Sequence, residues 1–283
     1  MEVYVAEKCG FCHGVRSAIR LAGETLAEEQ DGGRVHSLGP IIHNSDEVRR
    51  LAEAGLQTVD DAGEIDEGTV IIRSHGAAPQ QVAELRGKGL NIVDATCVLV
   101  KRVQQIAQEL EREGYKVVVI GDKDHPEVQA VVGCVKDVIV VADEASLQGL
   151  PADGKLGVVC QTTQSLDRLA VMLGAIGRHG FGELKVINTL CKESMKRQES
   201  AVQLCKRVDV MFVLGGLQSA NTRKLAELCK AYNSETYHLE NWSQLSREVL
   251  VGKQTAGVTA GASTPDRIIR EFVDRLRGWD ESS

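Results

Sequence analysis

One short theme recurs along this chain: a run of β-branched residues, a small polar motif, then a helix-like stretch. Val70-Ile71-Ile72 leads to Arg73-Ser74-His75-Gly76, and Val117-Val118-Val119-Ile120 leads to Gly121-Asp122-Lys123-Asp124-His125-Pro126-Glu127. Val158-Val159 leads to Cys160-Gln161-Thr162-Thr163, Met211-Phe212-Val213-Leu214 to Gly215-Gly216-Leu217-Gln218-Ser219-Ala220-Asn221, and Gly257-Val258-Thr259 to Ala260-Gly261-Ala262-Ser263. Short apolar runs alternating with helical stretches predict parallel sheets built from βα units. The helices have the expected period. Val15, Ile19, Ala22 and Leu26 share one face, as do Val100, Val103, Ala107 and Leu110. Residues Asp46 to Ala54 and Gln218 to Tyr232 read the same way.

Three cysteines punctuate this pattern. Cys12 follows Val3-Tyr4-Val5, Cys97 follows Ile92-Val93 and Cys191 follows Val186-Ile187. A length of 283 residues is a prior for about two domains, but spacings of 85 and 94 residues between these cysteines divide the chain into thirds. The expected organisation is three small α/β domains: residues 13–97, residues 98–190, and residues 191–277 together with the N-terminal strand 1–12. A polar tail, 278–283, is expected to fray.

Net charge is −7 and there are only four Phe, four Tyr and two Trp, which argues against a nucleic-acid surface with stacking platforms. The N-terminal residues show no signal peptide, and no stretch approaches the ~18 apolar residues of a membrane span. The expectation is a cytoplasmic protein with no membrane partner, whose eight cysteines serve metal binding, catalysis or packing rather than disulfides. Cys134, Cys160, Cys205 and Cys229 lie in or beside apolar runs and are expected as buried small hydrophobes.

Side chains beyond the carboxyl ends of parallel strands face the ligand crevice of an α/β fold. Three thiols in such places, each before a helix start that favours thiolate, point to a metal site. Three thiolates without a fourth suit an iron–sulfur cluster with one open iron. Zinc is the rival, although structural zinc sites close with four ligands at clustered spacings. Cys9-Gly10-Phe11-Cys12 also has the form of a redox dithiol, but a thioredoxin-like fold leaves the other motifs unexplained. His43, His75 and His125 form a second set, fit for either a metal or a phosphate. The company of Thr162, Thr163, Ser219, Asn221 and Ser263 favours an anion pocket. Glu127 reads from its position as a first-turn carboxylate complementing the helix dipole after Pro126. In a desolvated pocket it would be a proton donor instead. Gly215-Gly216 lacks the G-x-G-x-x-G spacing, and no GxxxxGK[ST] occurs, so both nucleotide-loop readings fail.

Taken in order, Gly10-Phe11-Cys12-His13-Gly14-Val15, Gly39-Pro40-Ile41-Ile42-His43-Asn44, Arg73-Ser74-His75-Gly76, Asp94-Ala95-Thr96-Cys97 and His125-Pro126-Glu127-Val128 match one family. So do Gln161-Thr162-Thr163, Cys191 with Arg197-Gln198, and Gly257-Val258-Thr259-Ala260-Gly261-Ala262-Ser263. The chain resembles the 4-hydroxy-3-methylbut-2-enyl diphosphate reductase family (IspH/LytB) over essentially its whole length. The resemblance implies a trefoil of three α/β domains with parallel sheets around a central iron–sulfur cluster. It implies that Cys12, Cys97 and Cys191 ligate a 4Fe–4S cluster whose fourth iron takes the substrate hydroxyl. It implies that His43, His75, His125, Ser219, Asn221 and Ser263 bind the diphosphate, and that Glu127, helped by Thr162 or Thr163, delivers the proton that lets hydroxide leave. Two electrons would come from an external ferredoxin- or flavodoxin-type donor, giving isopentenyl and dimethylallyl diphosphate.

The chain departs from the family pattern at Gln218 and Ala220, at Val98 where proline is usual, and over Lys192-Glu193-Ser194. A divergent member acting on another small hydroxylated or unsaturated substrate, and a cluster-based redox sensor, are the competing readings. A sensor, however, needs neither Glu127 nor the three histidines.

Overall fold

A computed structural model describes residues 1–29 and 33–279 of the chain. The first elements are β1 (Glu2–Val5), α1 (His13–Glu28), β2 (Val35–Leu38), α2 (Ser45–Glu53), β3 (Leu56–Val59), β4 (Thr69–Ile72), α3 (Pro79–Gly87) and β5 (Asn91–Asp94). There follow α4 (Val98–Arg112), β6 (Lys116–Ile120), α5 (Pro126–Val132), β7 (Val138–Val141), β8 (Lys155–Cys160), α6 (Leu166–His179) and β9 (Glu183–Val186). The last are α7 (Lys192–Cys205), β10 (Val210–Leu214), α8 (Ala220–Tyr232), β11 (Thr236–Leu239), β12 (Thr255–Ala260) and α9 (Asp266–Arg277).

These strands make three four-stranded sheets, every pairing of which is parallel. The α/β class with parallel sheets expected from the sequence is therefore present. The described chain groups into two compact units: residues 1–16, 42–50 and 192–283 in one, residues 17–41 and 51–191 in the other. The first unit contains one sheet, in the order β1-β12-β10-β11, and the second contains two, β3-β2-β4-β5 and β7-β6-β8-β9.

All three sheets have the same topology. Numbered in chain order within its own sheet, each reads 2-1-3-4, provided β1 counts as the fourth strand after β10, β11 and β12. In the first unit β1 pairs with β12 from Glu2↔Thr255 to Val5↔Val258, so the N-terminus supplies the strand that the C-terminal third lacks. The order 2-1-3-4 reverses between the first and third strands, and open α/β sheets bind ligands at the carboxyl ends of strands at such a switch point.

Burial on both faces explains the near-continuous apolar strands. In β10 successive side chains alternate between faces. Val210, Phe212 and Leu214 pack with Ile269, Phe272 and Val273 of α9, while Met211 and Val213 pack with Ala201 and Leu204 of α7 and Leu225 of α8. In the second unit Val117 and Val119 of β6 meet Val103, Ala107 and Leu110 of α4 and Val128 and Val131 of α5. Val70 and Ile72 of β4 pack with Leu85 of α3.

Several local expectations change. The second helix starts at Ser45, not Asp46, because Asn44 caps it by accepting the Glu47 N–H at 2.9 Å. The helix expected from Gln218 begins at Ala220, because Ser219 is its N-cap. Cys160, Cys205 and Cys229 are buried, but Cys134 is only half-buried, its thiol donating to the Ala130 carbonyl at 3.1 Å. Trp279, in the segment expected to fray, packs against the Phe212–Phe272 core. The rest of that tail, residues 280–283, lies outside the described residues. Among the described residues no helix is long and apolar enough to cross a membrane.

Candidate functional site

The shared topology places the candidate residues in equivalent positions. The cysteines follow the fourth strand of each sheet: Cys97 after β5, Cys191 after β9 and Cys12 after β1. Each immediately precedes a helix, at Val98, Lys192 and His13. The first strands lead to His43, to His125 with Glu127, and to Ser219 with Asn221. The third strands end at Ile72, Cys160 and Ala260, and three residues beyond each end stand His75, Thr163 and Ser263.

A repeated hydrogen bond joins the third-strand loop to the cysteine. Cys97 N–H donates to the Ser74 carbonyl at 3.0 Å, Cys191 N–H to Thr162 at 2.8 Å, and Cys12 N–H to Ala262 at 3.2 Å. The acceptor in every case is the residue just before His75, Thr163 or Ser263. Each latch therefore fixes a thiol-bearing backbone against a candidate ligand-binding loop. All three thiols are half-buried, unlike the fully buried Cys160, Cys205 and Cys229. Cys12 Sγ receives the Val15 N–H of the following helix's first turn at 3.5 Å. Soft sulfur donors at helix N-termini are a donor set that fits an iron–sulfur cluster. Cys9 is different. It packs against the core of the first unit, and burial pushes its thiol up to about 11 despite the nearby Arg197.

In the second unit Glu127 is 2% exposed and lies in the first turn of α5. Its carboxylate turns away from the helix start. Oε1 accepts the Thr162 N–H at 2.6 Å and Oε2 accepts the Thr162 hydroxyl at 2.8 Å. The helix start is capped by His125 instead, whose Nδ1 accepts the Glu127 N–H at 3.2 Å. A ring nitrogen that accepts carries no proton, so the His125 proton sits on Nε2, which is a donor. The His75 and His125 rings meet edge to face with centroids 5.5 Å apart. Of the two threonines it is Thr162 that bonds Glu127, while Thr163 accepts from Gln161 Nε2 at 3.1 Å.

In the first unit Ser219 Oγ accepts both the Thr222 N–H at 3.3 Å and the Thr222 hydroxyl at 3.0 Å. With both acceptor positions engaged, its own hydrogen is left to donate elsewhere. Ser263 donates to the His43 carbonyl at 2.9 Å, so it must rotate before it can serve an anion. Gly261 is required here, because a Cβ on it would lie 2.2 Å from Thr222 Oγ1. Ala220 is the first residue of α8, Val98 is exposed at the first position of α4, and Lys192-Glu193-Ser194 form the first turn of α7. All of these departures thus alter helix starts and leave the cysteines in place.

Sequence reasoning missed Gln161, Ser74 and the role of Arg197. Gln161 is 1% exposed, and its Oε1 accepts both the Asp122 N–H at 3.1 Å and the Gln164 amide at 3.0 Å, tying the loops after β6 and β8 together. Its signals in the chain are its place directly after an apolar strand and within the Gln161-Thr162-Thr163 motif. Asp94, before Cys97, accepts the Thr96 N–H at 3.0 Å and pairs with Lys101 at 2.6 Å. Burial raises its pKa, but these bonds outweigh burial and hold it below the usual carboxylate value.

The family profile described as LytB protein matches residues 3–277. A 4-hydroxy-3-methylbut-2-enyl diphosphate reductase of Trichlorobacter lovleyi is 45% identical over 277 residues, covering 98% of both chains. One of Geobacter metallireducens is 42% identical over 283 residues, covering 100% of this chain and 99% of the relative. The solved structure of an (E)-4-hydroxy-3-methyl-but-2-enyl diphosphate reductase, the terminal enzyme of the non-mevalonate pathway, superposes with a TM-score of 0.73 at 42% identity, covering 99% of this chain and 100% of that one. The E-1-hydroxy-2-methyl-but-2-enyl-4-diphosphate reductase of Plasmodium falciparum gives 0.91 at 27% identity, covering 97% and 87%.

Proposed function

We infer from membership of the LytB protein family, to which the chain belongs, that it is a reductase of 4-hydroxy-3-methylbut-2-enyl diphosphate in the non-mevalonate pathway. The reaction removes the allylic hydroxyl with two electrons and two protons and yields isopentenyl and dimethylallyl diphosphate. When bound, a 4Fe–4S cluster held by the thiolates of Cys12, Cys97 and Cys191 supplies the electrons and a Lewis-acidic iron. The equivalent places of these three cysteines, each latched to a third-strand loop, support that assignment. The same topology supports three α/β domains bounded at 13–97, 98–190, and 191–277 with 1–12.

The observation that carries the reading is the buried Glu127–Thr162 pair. Hydroxide is a poor leaving group, and a carboxyl held out of water lowers the barrier by protonating it as it departs. Glu127 holds that proton, and Thr162 keeps its carboxyl aimed through two bonds to one residue. Thr162 also receives the Cys191 N–H, so the proton donor and a cluster ligand share one rigid loop. His43, His75, His125, Ser219, Asn221 and Ser263 hold the diphosphate, with His125 Nε2–H and the Ser219 hydroxyl as oriented donors. Binding the diphosphate far from the reacting carbon fixes the allylic alcohol without added contacts at the bond that breaks. The electrons come from a separate ferredoxin- or flavodoxin-type protein, and a reducing, cytoplasmic setting keeps the ligand thiols available.

Anaerobically reconstituted protein should show the visible absorbance of an iron–sulfur cluster and should turn over the hydroxylated allylic diphosphate with an artificial reductant. Cluster-loaded protein that leaves this substrate intact would refute the reading.

A further inference from the structure

Arg197 has no part in the reaction described above, yet it is 6% exposed and lies one turn inside α7. Its guanidinium forks between two strands where their pairing has ended. The ladder between β1 and β12 stops at Val5↔Val258, and the last bond of that edge runs from Ala6 N–H to the Val258 carbonyl at 2.9 Å. Past the end of that ladder Arg197 bridges the two segments: Nη1 donates to the Ala260 carbonyl at 2.8 Å and Nη2 to the Gly10 carbonyl at 2.7 Å. Gly10 lies two residues before Cys12, and Ala260 lies two residues before Ala262, the acceptor of the Cys12 N–H.

We propose that Arg197 is a positioning residue for the Cys12 thiolate. Its fork closes the frame that the Cys12–Ala262 bond alone leaves open, so both loops that determine the direction of Sγ are tied to one planar, rigid group. Arginine suits this task because its two donors diverge at a fixed angle, whereas lysine offers a single flexible point. Gly10 shows how closely the frame is built: its φ is +78°, and a Cβ there would come within 2.8 Å of Asp266 Oδ1. The Cys97 and Cys191 latches are backbone bonds to Ser74 and Thr162, whereas Arg197 bonds the two loops that frame Cys12, so its effect should fall chiefly on the Cys12 thiol. The inference rests on the reading of Cys12 as a cluster ligand.

Two variants test it, Arg197→Lys and Arg197→Met, the lysine form preserving the charge where the methionine form fails to fold. In metal-free full-length protein, iodoacetamide labelling of each cysteine is followed by mass spectrometry. Cys12 should label severalfold faster in the lysine variant, with Cys97 and Cys191 unchanged. After anaerobic reconstitution the same variant should lose its visible cluster band to a chelator severalfold faster than the wild type. Unchanged labelling of Cys12, or an equal rise at all three cysteines, would overturn the proposal, since the latter marks general loosening. Labelling does not depend on iron. A wild-type chain that binds no iron would therefore refute the cluster reading separately, while unaltered labelling and iron retention in the variants would refute only the positioning role.

Discussion

Replacing Glu127 by glutamine separates its chemistry from its packing. The wild-type carboxylate accepts two bonds from Thr162, at 2.6 and 2.8 Å, in a place that is 2% exposed. The amide oxygen of glutamine can still accept the Thr162 N–H. Its NH2 group then faces the hydroxyl, which turns from donor to acceptor. Bonds to a charged group contribute about 1.5–3 kcal/mol and neutral bonds about 0.5–1.5 kcal/mol. Against an ionised Glu127 the amide weakens both bonds but removes the penalty of burying a charge, and against the protonated acid it exchanges one neutral partner for another, so in either state the net loss of stability should stay within ~2 kcal/mol. Turnover should fall by roughly 10²–10⁴-fold, the share of a general acid, which corresponds to about 2.7–5.5 kcal/mol of barrier. The assay is steady-state turnover under anaerobic conditions with saturating artificial reductant, beside thermal unfolding and cluster absorbance of the same preparation. Thr162→Val is the companion variant. It removes one donor from the carboxylate and should lower stability by about 1–3 kcal/mol while reducing turnover less than the Glu127 change does. Near-normal turnover in Glu127→Gln would remove Glu127 from the mechanism and leave proton delivery to the substrate diphosphate or to water.

Cys12→Ser, Cys97→Ser and Cys191→Ser should each lose most bound iron on reconstitution, while Cys9→Ser, whose thiol is packed against the core, should retain it; iron analysis per chain decides. Gly10→Ala places a side chain at φ +78° and 2.9 Å from Ile269 Cδ1, so it should destabilise the protein by about 1–3 kcal/mol, read as a drop in unfolding temperature. Asp94 is the test by pH: its folded pKa is depressed, so its stabilisation is present above the unfolded value of about 3.9 and is lost as pH falls through the lower folded value. Wild type should therefore exceed Asp94→Asn in stability at neutral pH, by less than about 1 kcal/mol because the carboxylate is half-exposed, and the gap should close in acid. A gap that widens as pH falls from neutral into acid would refute the assignment to ionised Asp94.

Much of the architecture was legible in the amino-acid order because the signals are local. Eight strands were marked by apolar or β-branched runs, and the face of α4 followed from its period, since Val100, Val103, Ala107 and Leu110 are all buried. Four strands went unnoticed. In β2 the buried residues include His36 and Ser37, and β11 carries Tyr237 and His238, so neither reads as an apolar run. The run Val138 to Val141, by contrast, is a β-branched apolar run of the same kind as the other strands.

Read along the chain, the amino-acid order shows on which local motifs the candidate residues sit: thiols before helix starts, histidines and hydroxyls after strands. Periodicity, capping and turn preferences act over a few residues, and a reader of the chain sees them directly. Which of the possible partners meet is a tertiary matter. The resemblance offers Glu127 either Thr162 or Thr163, and it is Thr162, 35 residues away, that reaches it, because β6 and β8 are neighbours in a 2-1-3-4 sheet. Nothing near Cys12 points to Arg197, which reaches the Gly10 carbonyl only because β1 takes the fourth place beside β12. Strand order is set by which apolar faces can be buried together across the whole unit, and hydrogen bonds between distant loops form only after that order exists.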